Sequence, residues 1–139
     1  SGVRTYSKSS QECFDTILLL LTPEERVTTF YATFNYEETI DTFQVDFLVK
    51  KLKLIIEYQG DYWHCNPSIM SESQKIKNGM KAKDIWQKDL SRKEKLELLG
   101  FSVIYIWESD WAQKRQTVLG LIEGVINGLR NKILENNGI

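Results

Sequence analysis

The sequence lacks the features of a membrane protein, a disulfide-stabilised protein or a strongly charged protein. Its longest apolar run, residues 17–21, has 5 residues, whereas a membrane-spanning helix needs about 20. The 2 cysteines, Cys13 and Cys65, are too few for a disulfide framework or a four-ligand zinc site. Reduced thiols are therefore expected, which favours a cytoplasmic protein. The formal net charge is -1, so overall charge does not indicate a nucleic-acid partner.

The N-terminus has no charged start followed by an apolar segment, and it opens Ser-Gly rather than Met. We therefore expect no signal peptide and a piece of a longer protein. The 139 residues, 42% of them hydrophobic and 27% charged, are enough for one domain with its own core. We expect residues 1–139 to form a single domain.

One segment is basic although the chain as a whole is not. Residues 70–95 contain eight Lys and Arg residues against four Asp and Glu residues, a local charge of +4. Such a segment can be a solvated helix face or can contact the phosphates of a nucleic acid. Both interpretations stay open at this point.

Periodicity predicts an alternation of helices and strands. A first helix over residues 9–21 is followed by strands over 28–37, 43–49 and 52–59, with turns at 41–42 and 50–51. After a loop over 61–67 come a long basic helix that runs to Leu99 and stops at Gly100, with or without an interruption near residues 78–79, a strand over 101–107 and a helix over 111–134. This order predicts a layered α/β (α+β) fold with a mixed β-sheet of about four strands flanked by helices.

The last predicted helix has an apolar stripe of five residues: Val118, Leu121, Ile122, Val125 and Leu129. Gly120, Gly124 and Gly128 recur beside it at four-residue intervals. Glycines at this spacing allow a close backbone approach, and the stripe serves either packing of the helix on the sheet or self-association, which leaves a homo-oligomer of the full-length protein open.

Two carboxylates fall on one face of the predicted hairpin. A four-residue loop places Asp46 directly opposite Glu57, and a two-residue loop places them diagonally, within about 8 Å. Carboxylates held this close repel each other unless a cation lies between them. Mg²⁺ suits that position because it prefers carboxylate oxygens and retains several waters.

Asp46 followed by Glu57-x-Gln59 has the spacing of the restriction-endonuclease-like superfamily, with Gln59 at the usual lysine position. The motifs G-D-Y-W-H at 60–64, D-x-x-R at 89–92, L-G-F at 99–101 and V-I-Y-I-W-E at 103–108 sharpen the match. They resemble the very short patch repair endonucleases and, most closely, the related phage homing endonucleases involved in intron mobility. The resemblance covers roughly residues 12–108 and implies a Mg²⁺-dependent DNA endonuclease with a separate DNA-binding region elsewhere.

The resemblance implies a catalytic set of Glu12, Asp46, His64 and Asp89. Asp46 would be the metal ligand, and His64 the general base, since the unperturbed pKa of histidine is about 6.5. Asp89 would orient His64 or help to hold a water on the metal, and Glu12 would act through water. Structural alternatives are a Ser9–Glu12 capping box, an Asp89–Lys93 helix pair and a merely structural His64. Glu57 and Gln59 are possible site-lining residues.

The resemblance also implies contacts with double-stranded DNA. Tyr62 and Trp63 would wedge between base pairs, although core packing is the alternative, and Lys81, Lys83 and Lys88 would bind phosphates. One departure is that Asp61, Asn66, Ser68 and Ser109 occupy the positions of a structural zinc site in the repair enzymes. We therefore expect no structural zinc. A mismatch- or modification-specific nicking enzyme and a catalytically silent DNA-binding module remain alternatives.

Overall fold

The computed structural model describes residues 6–36 and 38–138. The helices are α1 (Lys8–Leu18), α2 (Pro23–Arg26), α3 (Ala82–Leu98), α4 (Glu108–Gln113) and α5 (Arg115–Asn136). The strands are β1 (Thr29–Tyr31), β2 (Glu38–Ile40), β3 (Phe43–Val45), β4 (Phe47–Val49), β5 (Leu54–Gln59) and β6 (Ser102–Trp107).

The central sheet is mixed and has the strand order β1-β4-β5-β6. β4 is antiparallel to both β1 and β5, whereas β5 and β6 run parallel. Strands β2 and β3 form a separate hairpin, which the sequence analysis did not foresee. The predicted fold class, a mixed sheet of about four strands flanked by helices, is confirmed.

Helices cover both faces of the sheet, as the two buried faces of β5 require. On one face, Leu54 and Ile56 pack with apolar side chains of α1, α4 and α5, which include Phe14, Trp111 and Ile122. On the other face Ile55 packs with Val103 of β6 and Leu96 of α3. The alternation predicted for β5 is therefore correct.

The first helix begins and ends earlier than predicted. Ser7, not Ser9, is the N-cap residue, and its side chain accepts a hydrogen bond from the Ser10 N–H. The Ser9–Glu12 capping box is therefore wrong. A capping box does form at α2, where Thr22 and Glu25 satisfy each other's backbone N–H groups.

The predicted strand over residues 43–49 is broken at Asp46. Val45 packs with Leu48 on the α3 side of the sheet, whereas Phe47 and Val49 pack on the opposite side. A bend at Asp46 causes this change of face, and a strict alternation could not have shown it. The strand predicted over 28–37 is also shorter, since β1 ends at Tyr31; Glu37 lies outside the described residues.

The long basic helix begins at Ala82, much later than its charge pattern suggested. Residues 61–81 form turns, with one isolated bridge between Lys75 and Lys81. A small buried cluster of Cys65, Ile76, Ala82 and Ile85 holds this segment against the start of α3. Gly79, at φ 85°, takes a left-handed conformation that glycine adopts at little cost.

The predicted last helix is two helices, interrupted at Lys114. The buried residues of α5 are Val118, Ile122 and Ile126, while Leu121 is 67% exposed. A Cβ atom added at Gly120, Gly124 or Gly128 would meet nothing within 4 Å. The helix therefore packs on the sheet, as one of the two expectations required, but its glycines make no close contact within the described chain. No helix within residues 6–36 and 38–138 is long and apolar enough to cross a membrane.

Candidate active site

Asp46 and Glu57 lie at the centre of the candidate site. The β4–β5 register pairs Phe47 with Ile56, so the loop has four residues and Asp46 comes opposite Glu57, as one predicted geometry required. The Asp46 N–H donates to Glu57 Oε2 at 2.9 Å, and the Tyr58 N–H donates to Asp46 Oδ2 at 2.9 Å. Side-chain carboxylates thus accept backbone N–H groups where the bend interrupts the strand.

The positive charge next to Glu57 comes from an arginine side chain. Arg92, one turn after Asp89 on α3, forms an ion pair with the 4% exposed Glu57. Its other terminal nitrogen donates to the Gln44 carbonyl at 2.5 Å. Arg92 therefore compensates the charge of Glu57, a task that the spacing argument had given to a divalent cation.

His64 is paired with Asp89. His64 Nδ1 lies 3.0 Å from Asp89 Oδ2, and the Tyr105 hydroxyl donates to the Asp89 backbone carbonyl at 3.0 Å. The pKa of Tyr105 is raised, first by burial and then by the negative charge of Asp89, so this phenol stays protonated as a donor. Of the interpretations of Asp89, the geometry agrees with the one in which it orients His64.

A polar network fixes the loop that carries His64. Asp61 accepts from the Ser109 N–H at 3.1 Å, from the Ser109 hydroxyl at 2.8 Å and from the Asn66 amide at 2.8 Å. The Ser68 N–H and hydroxyl both donate to Asn66 Oδ1. These are the four residues at the zinc-site positions of the resemblance, and here they join the loop to α4 by hydrogen bonds.

Asp46 and His64 line two adjoining depressions. The first, which we call the site cleft, has a volume of about 270 Å³; its wall consists of Gln44, Asp46, Glu57, Gln59, His64, Asp89 and Arg92. The second, the outer cleft, has a volume of about 450 Å³ and also contains Tyr62, Trp63 and Glu108. The fold therefore brings Asp46, His64 and Asp89 together.

Glu12 is not part of either cleft wall. Its side chain is 54% exposed and forms an ion pair with Arg115 at 2.7 Å. This pair joins α1 to the start of α5. The predicted catalytic role of Glu12 receives no support from these contacts and stays a prediction.

The polar cleft residues that were not assigned to the site from the sequence include Gln44, Glu108 and Arg92, the last of which appeared only as part of the D-x-x-R motif. A usable signal existed for Glu108: it directly follows β6, whose last residue, Trp107, pairs with Gln59 at the end of parallel β5. Both strands therefore end at the same edge of the sheet as the His64 loop. For Arg92 the signal was its spacing of three residues from Asp89 on one helix face.

The predicted DNA-contacting residues are at the surface. Tyr62 and Trp63 are 38% and 56% exposed, with ring centroids 4.9 Å apart in an edge-to-face arrangement. Core packing, the alternative for this pair, therefore does not apply. Lys83 and Lys88 are exposed on α3, and Lys81 is half-buried at its N-cap.

The donor chemistry of the site was compared with what Mg²⁺ requires. No group of three or more His, Cys, Asp or Glu side chains within the described residues could hold a metal ion. Mg²⁺ does not need such a group, because it commonly binds one or two carboxylates together with substrate phosphates and waters. Asp46 in a cleft open to solvent satisfies that requirement, whereas Glu57 is already paired with Arg92.

No protein-family description matches the chain, and no curated protein matches it. Among solved structures, the chain is similar to the homing endonuclease I-Bth0305I catalytic domain, with 20% sequence identity and a TM-score of 0.48 over 88% of this chain and 94% of that one.

Proposed function

We propose that this chain is the catalytic domain of a Mg²⁺-dependent DNA endonuclease of the homing type, which hydrolyses phosphodiester bonds in duplex DNA. The observation that carries the proposal is the convergence of the Asp46 carboxylate and the His64–Asp89 pair on one cleft. The motifs over residues 60–64 and 89–92, which resemble those of phage homing endonucleases, support the same assignment.

His64 is the proposed general base. Asp89 accepts a hydrogen bond at the Nδ1 side of the imidazole, so Nε2 is the nitrogen that can take a proton from an attacking water. The backbone of the loop is fixed by Asp61 and Ser109, which holds the ring at the cleft wall.

Asp46 is the proposed metal ligand, assisted by phosphate oxygens and waters. A bound Mg²⁺ supplies Lewis-acid stabilisation of the negative charge that develops on the phosphate. The Tyr58 N–H holds Asp46 Oδ2 in place, so the carboxylate is oriented before substrate arrives.

Tyr62 and Trp63 are the proposed wedge. They lie at the outer cleft together with Asp46 and His64, so rings inserted between base pairs would open the duplex beside the cut phosphate. Unstacking one base step costs about a few kcal/mol and is offset by stacking and by a bent, better-contacted duplex. Lys81, Lys83 and Lys88 would hold the flanking phosphates.

Cleavage of supercoiled plasmid with and without Mg²⁺ tests the proposal. We expect Mg²⁺-dependent nicked or linear product, and no product from Asp46→Ala at an unchanged melting temperature. Asp84→Ala is the matched control, since Asp84 is an exposed carboxylate of α3 outside both clefts. Salt-sensitive DNA binding without cleavage would instead identify a silent binding module, and an active Asp46→Ala protein would refute the assignment.

A further inference from the structure

A third depression lies behind the His64–Asp89 pair and is not used by the mechanism above. It has a volume of about 220 Å³, and we call it the aromatic cleft. Its wall includes Trp86, Leu90, Lys93, Tyr105, Trp107 and Gln59. His64 and Asp89 line both this cleft and the site cleft, so the two depressions share a wall.

Two of the three rings of the aromatic cleft, Trp86 and Tyr105, are held in place by hydrogen bonds. Trp86 Nε1 donates to the Cys65 carbonyl at 2.5 Å, and the Tyr105 hydroxyl donates to the Asp89 carbonyl at 3.0 Å. Lys93 Nζ lies 5.6 Å from the centroid of the Tyr105 ring. The cleft is therefore formed in advance, with planar walls and one positive charge at its side.

Gln59 contributes an amide to this cleft. The residue is 4% exposed, yet its amide atoms are not among the fully buried polar atoms that lack a partner, so they reach the cleft surface. Within residues 6–36 and 38–138 no hydrogen bond occupies this amide, which leaves its donor and acceptor available to a ligand. Gln59 lines both the site cleft and the aromatic cleft, so a ligand in either can reach it.

We propose that the aromatic cleft binds one unstacked nucleobase from the nucleotide beside the cut phosphate, with Gln59 reading the edge of that base. The proposal rests on the function proposed above, since it uses the same DNA. Trp86 and Trp107 supply the stacking surface, and Lys93 attracts the phosphate that follows the base.

The chemistry of the walls favours a base over other ligands of that size. Aromatic side chains stack on any nucleobase, and a wedge by Tyr62 and Trp63, which line the outer cleft together with His64, would leave a base without its stacking partner. A glutamine amide offers one donor and one acceptor side by side, the pattern that adenine complements through N6 and N7. We therefore expect adenine to be preferred.

The indole N–H signals of the four tryptophans provide a direct test by NMR. The full chain is titrated with dAMP, dGMP, dCMP and dTMP, after each indole signal is assigned by a single Trp→Phe substitution. We expect the Trp86 and Trp107 signals to shift, most strongly with dAMP, while the signal of Trp111, which is 1% exposed, stays unchanged. A shift confined to Trp63, or no shift at all, would overturn the proposal.

Two matched pairs of variants sharpen this result. Gln59→Ala should weaken dAMP binding by about three- to tenfold, as expected for one lost hydrogen bond, and remove the preference for adenine. Gln87→Ala, a change at an exposed glutamine of α3, should do neither. Lys93→Ala should weaken all four nucleotides, whereas Lys95→Ala at an exposed position should not. If Gln59→Ala bound nucleotides as Gln87→Ala does, or Lys93→Ala as Lys95→Ala does, the proposed base site would be rejected.

The NMR titration separates this inference from the proposed function. Indole shifts at Trp86 and Trp107 in a protein that cuts no DNA would retain the base site and reject the nuclease. Mg²⁺-dependent cleavage with no response of these two indoles would retain the nuclease and reject the base site.

Discussion

Asp46 and Glu57 are joined across the β4–β5 hairpin by a hydrogen bond of 2.9 Å from the Asp46 N–H to Glu57 Oε2. Glu57 also pairs with Arg92, so its two oxygens serve the backbone of one strand and a side chain of α3. Two neighbouring carboxylates therefore have different tasks. Glu57 ties the sheet to α3, and Asp46 faces the clefts.

This division predicts opposite effects for two conservative substitutions. Glu57→Gln should lower the free energy of unfolding by about 2–4 kcal/mol, because it leaves the partly buried Arg92 without its charge partner. Asp46→Asn should change stability by less than about 1 kcal/mol, as is usual for a partly exposed site, yet abolish cleavage. Urea denaturation and plasmid cleavage below the melting transition measure the two effects. A stable Glu57→Gln protein would contradict the assignment.

Asp89 should act as a positioning residue for His64. Asp89→Asn should lower kcat by about 10²–10⁴-fold, because the carboxylate that orients a general-base imidazole supports the whole contribution of that base, and it should leave KM for an oligonucleotide duplex nearly unchanged. Asp84→Asn on the same helix is the control and should affect neither constant. A change in KM alone would show that Asp89 serves DNA binding instead.

The His64 loop should not depend on a metal for its stability. Asp61 accepts three hydrogen bonds that link the loop to α4, and removing such a hub from a half-buried site should lower the free energy of unfolding by about 1–3 kcal/mol. We expect EDTA to stop cleavage but to leave the melting temperature of the wild type unchanged, while Asp61→Ala lowers it. A melting temperature that falls with EDTA and recovers with Zn²⁺ would contradict this account.

A bidentate ion pair between Glu25 and Arg130 predicts the pH dependence of stability. Arg130 donates to both carboxylate oxygens, at 2.7 and 2.9 Å, and this contact holds the pKa of the 3% exposed Glu25 below its usual 4.5. The folded pKa is the lower one, so the stabilisation is present above the unfolded pKa and is lost as the pH falls through the folded pKa.

Urea denaturation at pH 7 and pH 3 tests whether the stabilisation by the Glu25–Arg130 pair is lost as the pH falls. Glu25→Gln should cost about 2–3 kcal/mol at pH 7, a value reduced for the partial exposure of Arg130, and the difference from wild type should shrink towards pH 3. Glu24→Gln, at an exposed neighbour in the same helix, is the control. A difference that grows as the pH falls would contradict the assignment.

The spacing of apolar residues in the sequence correctly predicted those elements whose side chains are buried against the helices. The two-sided apolar pattern of Leu54, Ile55 and Ile56 is correct because each side chain meets a separate layer of helices. The break at Asp46 was not predictable in this way. It depends on side-chain carboxylates replacing ladder hydrogen bonds, which is a tertiary contact between segments eleven residues apart.

Those residues of the candidate site that belong to a sequence motif could be predicted. The ion-pair partners that come together only in the folded chain could not. His64 and Asp89 were singled out on motifs 25 residues apart, and the structure pairs them. The pairing of Glu57 with Arg92 and of Glu12 with Arg115 followed no local pattern, because each joins elements that are distant in the chain. The glycines of α5 face open space within the described chain, since small residues permit a close approach but do not require one.

The central claim is that Asp46 and His64 act as one unit on the same phosphodiester bond. The most direct test is the Mg²⁺-dependent cleavage rate of Asp46→Asn, His64→Gln and the double variant on one plasmid substrate. Residues that act as a unit are strongly non-additive, so each single change should slow cleavage by at least about 10²-fold and the double variant should be no slower than the slower single variant. Losses that multiply in the double variant, or wild-type cleavage by either single variant, would contradict the claim.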